Sequence, residues 1–240
     1  MSDPLDELFK EFENQIKWPD LYYLKEETTL AFYALTKLNE NQENALLVMQ
    51  NDLKARLSND ATYQSQETDE YKEQYAYHKY GGLEDLIFEL TEQQRYSMCQ
   101  SVFSFFEGRL RTLCEYVEAA TQLKLKRKPS NKDDISHYHD FLAEEFKADL
   151  SQIQTLLMSI KSNKKVRNAI VHNAGWTTEG DLVYKAGQPQ GLIISPRVNQ
   201  FKLQITSPVY IEFIITEMQQ YFALLYTTLG KRAQELSITG

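Results

Sequence analysis

The chain has 240 residues, 42% of them hydrophobic and 25% charged, with a formal net charge of −8. That length holds one elaborated domain, or a core domain with a smaller addition, and the apolar share suffices for a real core. The negative balance argues against a general nucleic-acid coat, because phosphate binding rests on positive charge, but it leaves room for a local basic patch.

Only 9 Gly and 6 Pro leave few turns, which favours long helices over many short strands. No stretch approaches the ~20 consecutive apolar residues of a membrane span. The opening MSDPLDELFK lacks the basic, apolar and small-residue progression of a signal peptide. Cys99 and Cys114 fall on one predicted helix without a metal-binding spacing, so they are expected to be reduced and buried. These features predict a cytoplasmic protein with no membrane contact.

In chain order, the first helix is predicted from an Asp3 cap and Pro4, with Leu5, Leu8, Phe9, Phe12 and Ile16 as one stripe and Pro19 as its end. Residues 26 to 57 read as helical, with a break near Asn39–Asn44 and a stripe of Leu46, Met49, Leu53 and Leu57. Residues 58 to 80 are polar and Tyr-rich without a clean period. They read as a loop or a solvated helix, with Gly81-Gly82 as punctuation. The predicted organisation is therefore an N-terminal helical extension over 1–80 and a main helical domain over 81–240.

Thr91 and Gln94 form a capping-box pattern ahead of a long helix whose stripe includes Met98, Val102, Phe105, Phe106, Leu110, Leu113, Val117 and Ala120. Lys124-Leu125-Lys126-Arg127-Lys128 is read as the cationic close of that helix, with Pro129 after it. Further helices are predicted over roughly 133 to 147 and 149 to 173. Leu182–Tyr184, Leu192–Ile194 and Phe201–Ile205 suggest a small hairpin or ribbon. Ser207 and Pro208 then open a last helix with Val209, Phe213, Ile214, Met218, Phe222, Leu225 and Leu229 on its buried face, ended by Gly230.

The segment VRNAIVHNAG, residues 166 to 175, carries the chemistry. Arg167, Asn168 and His172 sit in the last turns of a predicted helix that Gly175 closes. At about 100° per residue, Asn168 and His172 share a face, whereas Arg167 and His172 stand about 140° apart. One helix thus supplies a loose pair, and a two-fold dimer of helix ends would gather two Arg and two His at one groove. Lys161, Lys164 and Lys165 precede Arg167 and give a local positive field in an acidic chain.

This R-N-x-x-x-H pattern, set at a helix end and followed by a capped amphipathic helix, resembles the HEPN superfamily over about residues 83 to 235. The resemblance implies a mainly α helical bundle of HEPN type with a small β-hairpin insertion before the last helix. It implies a metal-independent endoribonuclease, a toxin or a factor in defence against phage or plasmids, working as a homodimer without a cofactor. The expected catalytic residues are Arg167, His172 and Asn168, with Lys164, Lys165 and Asn173 contacting RNA. Glu107, on the helix facing the motif, is the expected support, paired with Arg167 or Arg109. In HEPN toxins paired with nucleotidyltransferase antitoxins a Tyr follows the histidine by two residues. Here that position is Ala174, which argues against control by modification of such a tyrosine. An antitoxin or regulatory protein is a further expected partner.

The alternative is an inactive HEPN dimer that binds RNA, nucleotide or protein. A helical interaction protein in which Arg167 makes an ion pair and His172 packs is a third reading. His137 and His139 read as surface residues with metal binding a distant second, and Trp176 reads as a packed aromatic rather than a base-stacking one.

Overall fold

The structure is a computed structural model that describes residues 19–178 and 189–238. It is mainly α-helical, with one small antiparallel sheet ahead of the last helix, as the composition and periodicity predict. The helices are α1 (Pro19–Ser58), α2 (Ala61–Gln64), α3 (Asp69–Thr121), α4 (Asp134–Asp140), α5 (Gln154–Asn173) and α6 (Val209–Ile238). A π-helical turn, Phe141–Glu145, follows α4, and a 3-10 turn, Ser151–Ile153, leads into α5. The first predicted stripe, Leu5 to Ile16, and the strand Leu182–Tyr184 lie outside the described residues.

Helix α1 runs without the expected break, and Pro19 opens it, a position where proline's missing N–H costs nothing. Its buried positions, Leu21, Thr28, Phe32, Asn39, Leu46 and Leu53, recur every seven or four residues and form one narrow stripe. Helix α3 departs furthest from expectation. It spans 53 residues, so Gly81-Gly82 lie inside it and the predicted 80/81 boundary falls within a continuous helix. Thr91 is not a cap either: its hydroxyl donates back to the Ile87 carbonyl at 2.7 Å, within the helix.

The polar stretch before α3 has its own organising residue. Asp60 caps α2 by accepting from the backbone N–H of Thr62 and Tyr63, and its carboxylate also receives Tyr75 Oη, Lys79 Nζ and Tyr80 Oη. That convergence turns the chain from α1 into α3. The Lys79 ammonium, first among these partners, holds the Asp60 carboxyl far below the usual carboxylate range.

By contact the chain divides into two compact units, with boundaries inside the four long helices. Of the described residues the first comprises 19–34, 102–165 and 214–238. Its core is aromatic: Phe32 meets Phe105 and Phe222, and Phe106 meets Tyr221 and Phe222 at 5.3 and 5.2 Å between ring centroids. The Tyr226 hydroxyl lies 2.8 Å from that of Thr28, so a buried phenol keeps a partner. Here too the basic run 124–128 is corrected. Helix α3 ends at Thr121 with Gln122 left-handed, and Lys124–Lys128 follow as irregular chain. Lys126 pairs with Glu145 and Lys128 with Asp134, so these cations join structure to structure.

His137 and His139, expected at the surface, are buried. His139 Nδ1 sits 3.1 Å from Tyr221 Oη, and burial pushes its imidazole below the ordinary histidine value. Helix α6 also runs past Gly230 to Ile238, and Val209 is exposed rather than buried at its start.

Of the described residues the second unit comprises 35–101, 166–178 and 189–213. It holds the sheet, β1 (Trp176–Thr177), β2 (Leu192–Arg197) and β3 (Gln200–Ile205), in the order β1-β3-β2 with antiparallel pairing throughout. Leu192 pairs with Ile205 and Ile194 with Leu203, placing Leu192, Leu203 and Ile205 in the core. Strand β1 has only two residues, too few to leave an alternating pattern in the sequence.

Candidate active site

Asp149 accepts from the Ser151 N–H at the start of the 3-10 turn that leads into α5, and Leu157, Ile160, Val166, Ala169 and Ile170 give that helix a buried stripe. Its final turns carry the motif. Gly175 terminates it with φ of +83° and follows Ala174, itself left-handed at +48°. The Gly175 N–H returns to the Ala169 carbonyl at 3.0 Å, and its own carbonyl accepts from Leu203 N–H at 2.8 Å. A Cβ on Gly175 would lie 2.8 Å from Leu203 O and 3.0 Å from Tyr96 Oη. Only glycine allows the helix end to seat so closely on β3.

Other side chains fix that seat. Tyr96 Oη donates to Leu203 O at 2.9 Å and lies 2.9 Å from Glu92 Oε1. Lys202 Nζ donates to Ala174 O at 2.8 Å and stands over the Trp176 ring at 5.4 Å, so Trp176 is engaged in packing. Neither Tyr96 nor Lys202 announces itself in the sequence, although a tyrosine in an apolar stripe does require a polar partner.

At the helix end His172 and Asn173 are exposed, and Arg167 and Asn168 are half-buried. Arg167 Nη1 donates to Asn168 Oδ1 at 3.0 Å, so Asn168 orients the guanidinium. Arg167 Nε is buried with no hydrogen-bond partner among the described residues. Behind it lies Cys99, whose thiol is pushed up to about 12 by burial, against the pull of the Arg167 charge. Both cysteines are buried and unbridged, as expected.

The lysines ahead of the motif divide. Lys164 is largely buried and pairs with Glu107 and, at 3.8 Å, with Asp133. Lys161 Nζ donates to Ser136 Oγ at 2.7 Å. Lys164, expected on RNA, is thus committed to the protein, and Lys165 is the exposed member of the pair. Glu107 does face α5, but its partner is Lys164 rather than Arg167 or Arg109. Arg109 instead pairs with Glu27 at 3.0 Å. Glu107 is thus engaged by Lys164, which lies one turn before Asn168 in the sequence, and not by the motif's own cation.

Sequence reasoning missed Glu217. It lies half-buried on α6, accepts from Ser159 Oγ and Asn163 Nδ2, and has its carboxyl pushed above the usual range by burial. No group of three or more His, Cys, Asp or Glu side chains that could hold a metal ion occurs among the described residues. Among the same residues no helix is long and apolar enough to cross a membrane. No family model, curated protein or solved structure matches the chain.

Proposed function

We propose that the chain is a metal-independent endoribonuclease of HEPN type whose site forms where two copies bring their α5 ends together. The observation that carries this reading is an exposed His172 one helical turn beyond a bonded Arg167–Asn168 pair, at a helix end that Gly175 seats firmly. A histidine exchanges protons near neutral pH, and an arginine fork grips two phosphate oxygens.

The reaction needs no protein nucleophile. His172 takes the proton of the RNA 2′-hydroxyl as the 2′-oxygen bonds to the adjacent phosphorus. The bond from phosphorus to the 5′-oxygen breaks, and that oxygen takes a proton from His172 of the partner subunit. Arg167 stabilises the charge that builds on the phosphoryl oxygens. The products are a 2′,3′-cyclic phosphate and a 5′-hydroxyl. Asn168 orients the guanidinium through its 3.0 Å bond, and Asn173 stands exposed at the helix end to meet the RNA backbone. A toxin or a defence factor held in check by a partner protein is the role this activity suits, in the cytoplasm.

The half-buried Arg167 favours one second reading, an inactive dimer that binds RNA, nucleotide or protein and keeps Arg167 for packing against α3. Incubating the purified protein with RNA in EDTA, beside Arg167→Ala and His172→Ala, separates the two. The enzyme reading expects cleavage that survives EDTA, leaves cyclic phosphates and disappears in both variants while their circular dichroism is unchanged. Binding without cleavage of any RNA supports the second reading.

A further inference from the structure

A groove of about 470 Å³ lies within the second unit, walled by α1, α3 and the end of β3. Its floor is apolar, built on Leu53, Leu57, Ile87 and Phe88, and Phe88 is 58% exposed at the rim. The lining residues of α3 run from Ala76 to Arg95, about 28 Å of helix at 1.5 Å per residue, so the groove is elongated.

Its charges are unevenly spent. Arg95 is neutralised by a two-pronged contact to Glu43, with Nε and Nη2 each 2.7 Å from a carboxylate oxygen. Glu92 Oε1 accepts from Gln204 Nε2 and lies 2.9 Å from Tyr96 Oη, and its Oε2 has no partner among the described residues. Glu84 lines the groove eight residues earlier, about 12 Å along the axis, and has no ion pair among the described residues. Lys54, on the α1 wall, is the opposing charge.

Two carboxylates separated by apolar floor match a ligand whose cationic ends are separated by methylenes. We propose that this groove binds an elongated aliphatic di- or polyamine, with one ammonium at Glu92 Oε2 and another at Glu84, and with its methylenes over Ile87 and Phe88. Apolar lining with a few placed polar groups is what small-molecule sites require. Tyr96, whose hydroxyl donates to Leu203 O and stands 2.9 Å from Glu92 Oε1, links the groove's Glu92 to the strand on which the motif helix seats.

Calorimetric titration of the full chain with 1,8-diaminooctane and with spermidine tests this, with octanoate as the control of equal apolar length. Stoichiometric binding of both amines and none of octanoate is expected. Glu84→Gln and Glu92→Gln should each weaken the diamine by about fivefold, the loss of one partly exposed ion pair. Lys54→Gln should tighten it, because it removes the one opposing charge. Glu26→Gln, which removes the same single charge from an exposed position outside the groove, should leave affinity unchanged. An equal loss in that control, or binding of octanoate as strong as that of the diamine, would overturn the assignment. None of these readings depends on ribonuclease activity.

Discussion

The two units of the chain treat their polar side chains differently. In the first, partly buried charges and hydroxyls are matched within the unit: Lys164 with Glu107, Ser159 and Asn163 with Glu217, Thr28 with Tyr226. Even Glu107 Oε1, buried and without a well-aligned hydrogen bond, has the Lys164 ammonium against it. In the second, Asn39 Nδ2, Gln42 Oε1 and Arg167 Nε are buried without hydrogen-bond partners among the described residues. Each unmet buried polar atom costs on the order of 1–3 kcal/mol. Expense of that kind is tolerated where a side chain is held for something other than the fold. The contrast runs along a single helix, since Lys164 and Arg167 are three residues apart. One is paired with Glu107; the other, to which the proposed function gives a chemical role, has its Nε unmet among the described residues.

The largest expected effect tests that division directly. Arg167→Ala should reduce RNA cleavage by on the order of 10³-fold while shifting stability little. Lys164→Ala should do the opposite, costing about 1–3 kcal/mol because it leaves Glu107 unpaired, with the rate per folded molecule nearly intact. Single-turnover cleavage beside urea titration reads both. If Lys164→Ala lost activity as steeply as Arg167→Ala, the division would collapse.

Next in size is the aromatic core of the first unit. Phe106 is fully buried against Tyr221 and Phe222, so Phe106→Ala should cost about 3–5 kcal/mol in chemical denaturation. A loss below about 1 kcal/mol would mean that these rings are not the unit's anchor.

Acid should reach the first unit through His139. Burial lowers its folded pKa below the unfolded one, so the unfolded chain binds a proton first as pH falls through the ordinary histidine range. Stability from this group is therefore full above that range and declines on acidification. The melting temperature of the wild type should fall more between pH 7 and pH 5 than that of His139→Gln. Equal slopes would show that Tyr221 can hold the protonated ring as readily as the neutral one.

Much of the fold is legible in the sequence because long helices write a strong period. The departures share a cause: punctuation residues carry less weight than packing. Gly81-Gly82 and Gly230 sit inside helices, where each glycine costs only about 1 kcal/mol against many turns of buried stripe. The stretch 69–80 shows no apolar period because polar groups fasten it, Tyr75, Lys79 and Tyr80 to Asp60. At the site, Arg167, Asn168, His172 and the closing Gly175 can be placed at a helix end from spacing alone. That Lys164 is spent on Glu107 cannot, because its partner comes from another helix and any exposed lysine would read the same.

The smallest expected effect falls at the boundary between motif and sheet, where two adjacent residues should respond in opposite directions. Ala174 holds a left-handed φ of +48° that glycine adopts freely, and it is exposed, so its methyl is not needed for packing. Ala174→Gly should stabilise the protein by up to about 1 kcal/mol, the relief of left-handed strain less the entropy that glycine adds to the unfolded chain. The reverse change next door should destabilise, since Gly175→Ala combines a φ of +83° with a Cβ 2.8 Å from Leu203 O. Because Lys202 binds the Ala174 carbonyl and not its side chain, the seat should survive Ala174→Gly and the cleavage rate with it. A destabilised Ala174→Gly protein would show that the left-handed turn is imposed by the docking of Gly175 at no cost to the residue before it.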